Sequence, residues 1–163
     1  MSINRPSITS RSLSKRLGIV LVIFGSAIFI LGAAPHWFDL DRSPVIGFVQ
    51  ISVFIFGLGL IALGGYFTLD ALWNGSPKTI SAEIGARIVG TGYVIALASG
   101  MADIFGLGTR PLPFTPFFGF WQARGVLMGE ILIIVGLLLM LPFWGNLVRS
   151  IWKVRKPKAV RKK

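Results

Sequence analysis

Four long segments of this sequence hold few charged residues, and most of the charges lie between or beyond them. The segments cover residues 17–34, 44–69, 84–105 and 121–144. A helix needs about 20 apolar residues to cross the hydrocarbon core of a bilayer. Helices of a soluble bundle keep a polar stripe on one side, whereas these segments are apolar all round. We therefore predict an all-α integral membrane protein with four transmembrane helices.

The composition supports the same class of protein. Hydrophobic residues make up 53% of the 163 residues, charged residues make up 14%, and the mean hydropathy is +0.74. A soluble domain of this size cannot bury that much apolar surface. We divide the chain into a basic N-terminal segment (1–16), a four-helix transmembrane domain (17–145) and a basic tail (146–163).

The N-terminal segment 1–16 also has the basic, Ser-rich and acid-free composition of a transit peptide. Gly32, Ala33 and Ala34 at the end of the first apolar segment fit a cleavage motif. Pro35 follows directly, and a proline at that position usually blocks processing. We expect the first helix to be retained.

The distribution of Lys and Arg predicts the orientation in the membrane. With four crossings, both ends lie on one side together with the loop between the second and third segments. That side holds all of the 17 basic residues except Arg42, Arg110 and Arg124. Because basic loops stay in the cytoplasm, we predict cytoplasmic termini in the inner (plasma) membrane. Anionic lipid headgroups, rather than nucleic acid, are the expected partners of the basic ends.

An internal repeat is indicated by residues 47–69, which match residues 119–141 at eight positions without a gap. Both copies begin with the pattern Gly-Phe-x-Gln, and Gly57 and Gly64 coincide with Gly129 and Gly136. The first and third segments align poorly at this offset. We predict two tandem helical hairpins in parallel repeat; the apolar bias of both segments is the alternative source of the matches.

Glu130 is an exception in an otherwise uncharged membrane core. Gln50 and Ser99 lie at a similar predicted depth, so the three side chains predict one intramembrane polar layer. Acids at such depths carry protons or bind cations in some membrane proteins. In others they hydrogen-bond a neighbouring helix or subunit. Both interpretations of Glu130 stay open.

Two further patterns concern the third and fourth segments. Asp103 and Arg124 lie near their outer ends, and we predict an ion pair between these side chains. Small residues that let helix backbones approach recur at four-residue spacing in both segments. They are Gly92, Ala96 and Gly100 on the third segment, and Gly125 and Gly129 on the fourth. We therefore predict tight packing of the third helix on the fourth.

The outer loops leave alternatives open. His36, the only histidine, is either a single ligand to a haem or other pigment or an ordinary interfacial residue. The loop at residues 106–120 combines three prolines with four phenylalanines. Phenylalanines are costly to expose to water, so this loop docks a protein partner, contacts lipid or covers a ligand.

Catalytic groups are scarce in this chain. It has no cysteine, one histidine and six acids, and it lacks phosphate-loop, catalytic-triad and metal-ligand motifs. We predict a non-catalytic membrane protein without a metal or other cofactor, acting as a structural or accessory subunit among protein partners in the membrane. The alternative is a small transporter or proton-coupled channel that uses Glu130.

Overall fold

The chain folds as helices joined by turns. The computed structural model describes residues 8–39, 47–73, 76–107 and 118–142. In chain order the helices are α1 (Ile8–Ala33), α2 (Phe48–Leu72), α3 (Ile80–Gly100) and α4 (Phe120–Leu139). All four are long and apolar enough to cross a membrane. The predicted all-helical class and the four helices of spanning length are confirmed.

The ends of α3 differ from the predicted limits of the third segment. α3 begins at Ile80 rather than at 84 because the Thr79 hydroxyl accepts a hydrogen bond from the Ala82 backbone nitrogen at 3.3 Å. It ends at Gly100 rather than at 105, and residues 101–106 form turns instead. The last of these, Gly106, has a φ of 72°, a conformation that glycine adopts readily.

The other helices also begin or end away from the predicted limits. α1 begins at Ile8, so it extends well before residue 17. α2 begins at Phe48 after the extended residue Gly47. α4 ends at Leu139, and the basic tail at 146–163 lies outside the described residues. A short 3₁₀ turn at Pro35–Phe38 follows α1.

Glycines bring α1 and α2 into backbone contact over most of their length. A β-carbon added at Gly25 would lie 2.9 Å from the Ile61 nitrogen. One added at Gly64 would lie 2.7 Å from the Gly18 carbonyl oxygen. Real β-carbons essentially never come this close to backbone atoms. Larger residues at these positions would therefore force the two helices apart.

α3 and α4 form a second antiparallel hairpin by the same means. A β-carbon added at Gly92 would lie 2.7 Å from the Gly129 carbonyl oxygen and 2.9 Å from the Ile133 nitrogen. One added at Gly136 would lie 2.7 Å from the Gly85 carbonyl oxygen. In both hairpins the glycines thus allow close backbone contacts between the two helices.

The two hairpins meet mainly through α2, which lies against α3 and, less extensively, against α4. Toward the end of the bundle where α3 finishes, Ile55 packs on Gly100 of α3. A core cluster of buried side chains joins the three helices, and it includes Leu58, Val89 and Ile133. α1 and α4 share almost no contact. The four helices therefore form an open arrangement rather than a closed ring.

Candidate functional site

Glu130 lies half-buried on α4, and no described residue forms a hydrogen bond or an ion pair with it. Two turns further along the same side of α4, Leu137 packs on α2, with its Cδ2 atom 2.9 Å from a β-carbon added at Gly65. Residues seven apart share a helix face. Glu130 therefore lies on the flank of α4 that turns toward α2, beside the exposed side chains of Leu127 and Ile134.

The structure does not join Glu130, Gln50 and Ser99 by hydrogen bonds among the described residues. Gln50 lines a small cavity of about 160 Å³ where α1 ends and α2 begins, together with Phe54 and Phe118. Ser99 faces Gly125 at the α3–α4 contact. The predicted polar layer thus separates into groups with different neighbours, because similar depth does not place side chains on facing sides of their helices.

Gln122 is a buried polar residue that the sequence analysis did not single out. Its side-chain oxygen accepts a hydrogen bond from the Gly119 backbone nitrogen at 2.6 Å, which caps the start of α4. The signal was present in the Gly-Phe-x-Gln pattern, since a Gln three residues after the cap residue reaches the free backbone nitrogen. Gln50 occupies the matching position after Gly47 at the start of α2.

Asp103 and Arg124 are not paired in the structure. Asp103 is only 5% exposed, and its Oδ1 atom accepts no hydrogen bond from any described residue. The Arg124 guanidinium instead lies over aromatic rings, 4.1 Å from the Phe120 ring centre and 5.8 Å from that of Trp121. A cation over a ring face is attracted by the ring's charge distribution. Arg124 is thus held beside its own helix.

The small residues of α3 that were predicted to pack on α4 lie on two different sides of α3. Gly92 and Ala96 face α4, where a β-carbon added at Gly129 would lie 2.7 Å from the Ala96 β-carbon. Gly100 instead faces α2, where a β-carbon added to it would lie 3.1 Å from Ile55 Cδ1. The third helix therefore uses its small residues toward both neighbours.

A polar cluster joins the hairpins at the end where α2 leads into α3. Trp73 Nε1 donates a hydrogen bond to the Met140 carbonyl oxygen at 3.0 Å, linking the ends of α2 and α4. Lys78 forms a salt bridge with Asp70, and its Nζ atom lies 5.8 Å from the Tyr66 ring centre. The hydrogen bond to Asp70 raises the pKa of the Lys78 ammonium, against the opposing effect of burial.

An apolar groove with a volume of about 420 Å³ opens between α2 and α3. Tyr66 and Tyr93 supply its polar atoms, and the other lining residues are aliphatic, glycine or Phe56. This surface can contact hydrocarbon chains but offers no charged group to a substrate. His36 lies apart from it, exposed in the 3₁₀ turn with its ring edge-on to Trp37 at 5.8 Å.

The described residues contain no group of three or more His, Cys, Asp or Glu side chains that could hold a metal ion. The central part of the Phe- and Pro-rich loop, residues 108–117, lies outside the described residues. Phe118, at its end, packs against the core cluster. No protein-family model, curated protein or solved structure matches this chain.

Proposed function

We propose that this chain is an integral protein of the inner (plasma) membrane that crosses it four times, with both termini in the cytoplasm. Large apolar side chains are exposed on all four helices, among them Ile23, Phe56, Val94 and Ile134. Exposing such surfaces to water is costly, whereas lipid solvates them. The basic residues at both ends and in the loop between α2 and α3 favour the cytoplasmic side.

We also propose that the two hairpins are tandem copies of one unit. Equivalent contacts support this. A β-carbon added at Gly64 would lie 2.8 Å from the Val22 nitrogen, and one added at Gly136 would lie 2.8 Å from the Val89 nitrogen. Gly136 is the counterpart of Gly64 in the sequence repeat, and these contacts make Val89 the counterpart of Val22. The same atoms of corresponding residues therefore meet in both hairpins.

In this proposal the protein is a non-catalytic structural or accessory subunit of a larger membrane assembly. The observation that carries this proposal is that polar side chains of the helices form hydrogen bonds within the chain itself. Ser52, Thr68 and Thr91 donate hydrogen bonds to carbonyl oxygens of their own helices. Gln122 caps α4, and Trp73 ties the hairpins together. These polar groups stabilise the helices, and large apolar side chains are left exposed on all four helices for contact with partners.

Mild detergent extraction followed by native mass spectrometry tests this function. We expect the protein to leave the membrane in an assembly of fixed stoichiometry that contains other membrane proteins. A control purification in a harsher detergent should release the chain from them. A protein that retains a native fold and is recovered without any other protein under mild conditions would contradict the proposal.

The second candidate function is a small transporter or proton-coupled channel. The half-buried Glu130, which has no hydrogen-bond partner among the described residues, favours it. Proton flux into proteoliposomes should then be abolished by Glu130→Gln and retained in the matched variant Glu83→Gln, which lies near the start of α3. Absence of proton flux in the unsubstituted protein, or equal flux in Glu130→Gln, would remove this candidate.

A further inference from the structure

The face of α2 that packs on the second hairpin is almost fully buried. Ile55 is 2% exposed and Leu58 is 5% exposed. α3 covers this face through two contacts, and in each of them a glycine of one helix faces a large side chain of the other. A β-carbon added at Gly100 would lie 3.1 Å from Ile55 Cδ1, and one added at Gly59 would lie 2.8 Å from the Tyr93 hydroxyl oxygen.

Within the described parts of the chain, no helix covers the corresponding face of α4. In the proposed repeat, which relates residues 47–69 to 119–141, Leu127, Glu130 and Ile131 correspond to Ile55, Leu58 and Gly59. Leu127 is 55% exposed and Ile131 is 51% exposed. α1, which corresponds to α3 in the repeat, shares almost no contact with α4 because it is held on α2. A position for one antiparallel helix is therefore vacant beside α4.

α1 carries residues that fit this vacant position. In the register that pairs Val22 with Val89, its residues Ser26 and Ala33 correspond to Tyr93 and Gly100 of α3. Ala33 is exposed and Ser26 is half-buried. Where α3 and α2 pair Tyr93 with Gly59, the equivalent pair is Ser26 with Ile131. The larger residue of this pair therefore lies on α4 instead of on the helix that corresponds to α3. Where they pair Gly100 with Ile55, the equivalent pair is Ala33 with Leu127.

The same alignment supplies a partner for Glu130. Ile131 would meet Ser26 in the equivalent contact, and Glu130, which corresponds to the buried Leu58 of α2, lies at the edge of the same face of α4. A serine hydroxyl donates a hydrogen bond to a carboxylate or carboxyl oxygen, and polar pairs of this kind join helices inside membranes. The size complementarity and the polar pair therefore both point to α1 as the helix that belongs against α4.

We propose that a second copy of this chain packs its α1 against α4, and that the reciprocal contact completes a two-fold symmetric dimer. The open α1 and α4 sides of the two copies then cover each other, as an isologous interface requires. The inference rests on the proposed membrane-embedded repeat. It names the first partner of the proposed assembly, namely the chain itself.

Cysteine cross-linking in membranes tests the dimer, and the sequence contains no cysteine that would interfere. Chains carrying Ser26→Cys are coexpressed with chains carrying Ile131→Cys and treated with a mild oxidant. We expect a disulfide-linked dimer from the mixture. Val94→Cys is the matched control for Ser26→Cys, because Val94 is an exposed residue of α3 next to the position equivalent to Ser26. It should give no dimer with Ile131→Cys.

The chain with both Ser26→Cys and Ile131→Cys separates the remaining outcomes. A cross-linked dimer supports the proposal, whereas an internal disulfide in a monomer would overturn it by showing that α1 closes on α4 of its own chain. No disulfide in either experiment would also overturn it. The proposed accessory role fails separately, when mild extraction recovers no other membrane protein.

A second measurement does not depend on cross-linking. The dissociation constant of the dimer in detergent or lipid should rise about eightfold for Ser26→Ala, because the two-fold dimer loses one intramembrane hydrogen bond at each of its two equivalent contacts and each bond is worth about threefold. Ile131→Trp should raise it further by filling the contact, while Val94→Trp should leave it unchanged. An unchanged dissociation constant for Ile131→Trp, or the same rise for both Trp variants, would contradict the interface.

Discussion

The α1–α2 and α3–α4 hairpins have the same contacts between their own helices, but they differ in what covers their outward faces. At the crossing of each hairpin, a β-carbon added at Gly25 or Gly92 would lie 2.9 Å from a backbone nitrogen of the partner helix, that of Ile61 or of Ile133. The outward face of α2 is covered by α3, whereas the matching face of α4 is exposed. The comparison separates two kinds of packing: glycine spacing specifies each hairpin, and less repetitive side chains decide what each hairpin packs against.

The contact between the two hairpins is decided by these less repetitive side chains. α2 meets α3 and α4 less extensively than α1 meets α2, and a groove of about 420 Å³ opens along part of the boundary. We therefore expect substitutions inside a hairpin to cost more stability than substitutions between hairpins.

The largest effect is expected for Gly129→Val and its counterpart Gly57→Val. A β-carbon at Gly129 would lie 2.5 Å from the Gly92 carbonyl oxygen, and one at Gly57 would lie 2.7 Å from the Phe29 Cα atom. Overpacking of this kind costs about 1–3 kcal/mol or more. Reversible unfolding in micelles or bicelles should show similar losses for the two variants if the hairpins are equivalent.

Gly90→Ala is the matched control for these glycines, because a β-carbon added at Gly90 meets no atom within 4 Å. It should leave the free energy of unfolding unchanged or raise it by about 0.5–1 kcal/mol, since alanine favours a helix over glycine. A loss for Gly90→Ala equal to that for Gly129→Val would show that close approach is not the cause.

A smaller effect is expected for Trp73→Phe, which removes the hydrogen bond to the Met140 carbonyl oxygen and leaves an aromatic ring in place. The net loss should be about 0.5–1.5 kcal/mol. It should loosen the two hairpins without separating α1 from α2. Trp37→Phe, at an exposed position, is the control and should change little. Equal losses for both variants would argue against a specific link at Trp73.

The smallest effect concerns the salt bridge between Lys78 and Asp70, both of which are partly exposed. Asp70→Asn should cost less than about 1 kcal/mol, because exposed pairs are screened by water. The raised pKa of Lys78 sets the pH dependence. Its contribution is complete below the ordinary value of 10.5 and is lost as pH rises through the higher folded value. The difference between Asp70→Asn and the unsubstituted protein should therefore persist at neutral pH and shrink in strong alkali.

Much of the helical framework could be predicted from the sequence, because long uncharged segments identify helices of spanning length without any knowledge of tertiary contacts. The likeness of α2 and α4 was also visible. The matching register of α1 and α3, which pairs Val22 with Val89, was missed because it has a different offset from the one that pairs Gly64 with Gly136. The connection between α3 and α4 is longer than that between α1 and α2, so no single offset aligns both pairs.

The candidate site was less predictable than the framework. Depth along a helix placed Glu130, Gln50 and Ser99 in one layer, but contact depends also on the direction in which each side chain points. The bonds from Trp73 to Met140 and from Lys78 to Asp70 lie at helix ends, where no periodicity indicates a partner. Arg124 stacks on Phe120 instead of pairing with Asp103 because the ring is one turn away on the same helix.

Labelling of single cysteines from the two sides of the membrane tests the four-crossing account most directly. His36→Cys follows α1 and Ser76→Cys precedes α3, and both positions are exposed. In intact cells, a membrane-impermeant maleimide should label His36→Cys and leave Ser76→Cys unlabelled. In inside-out vesicles the pattern should reverse. Labelling of both positions from the same side would contradict the account, since α2 would then not cross the membrane.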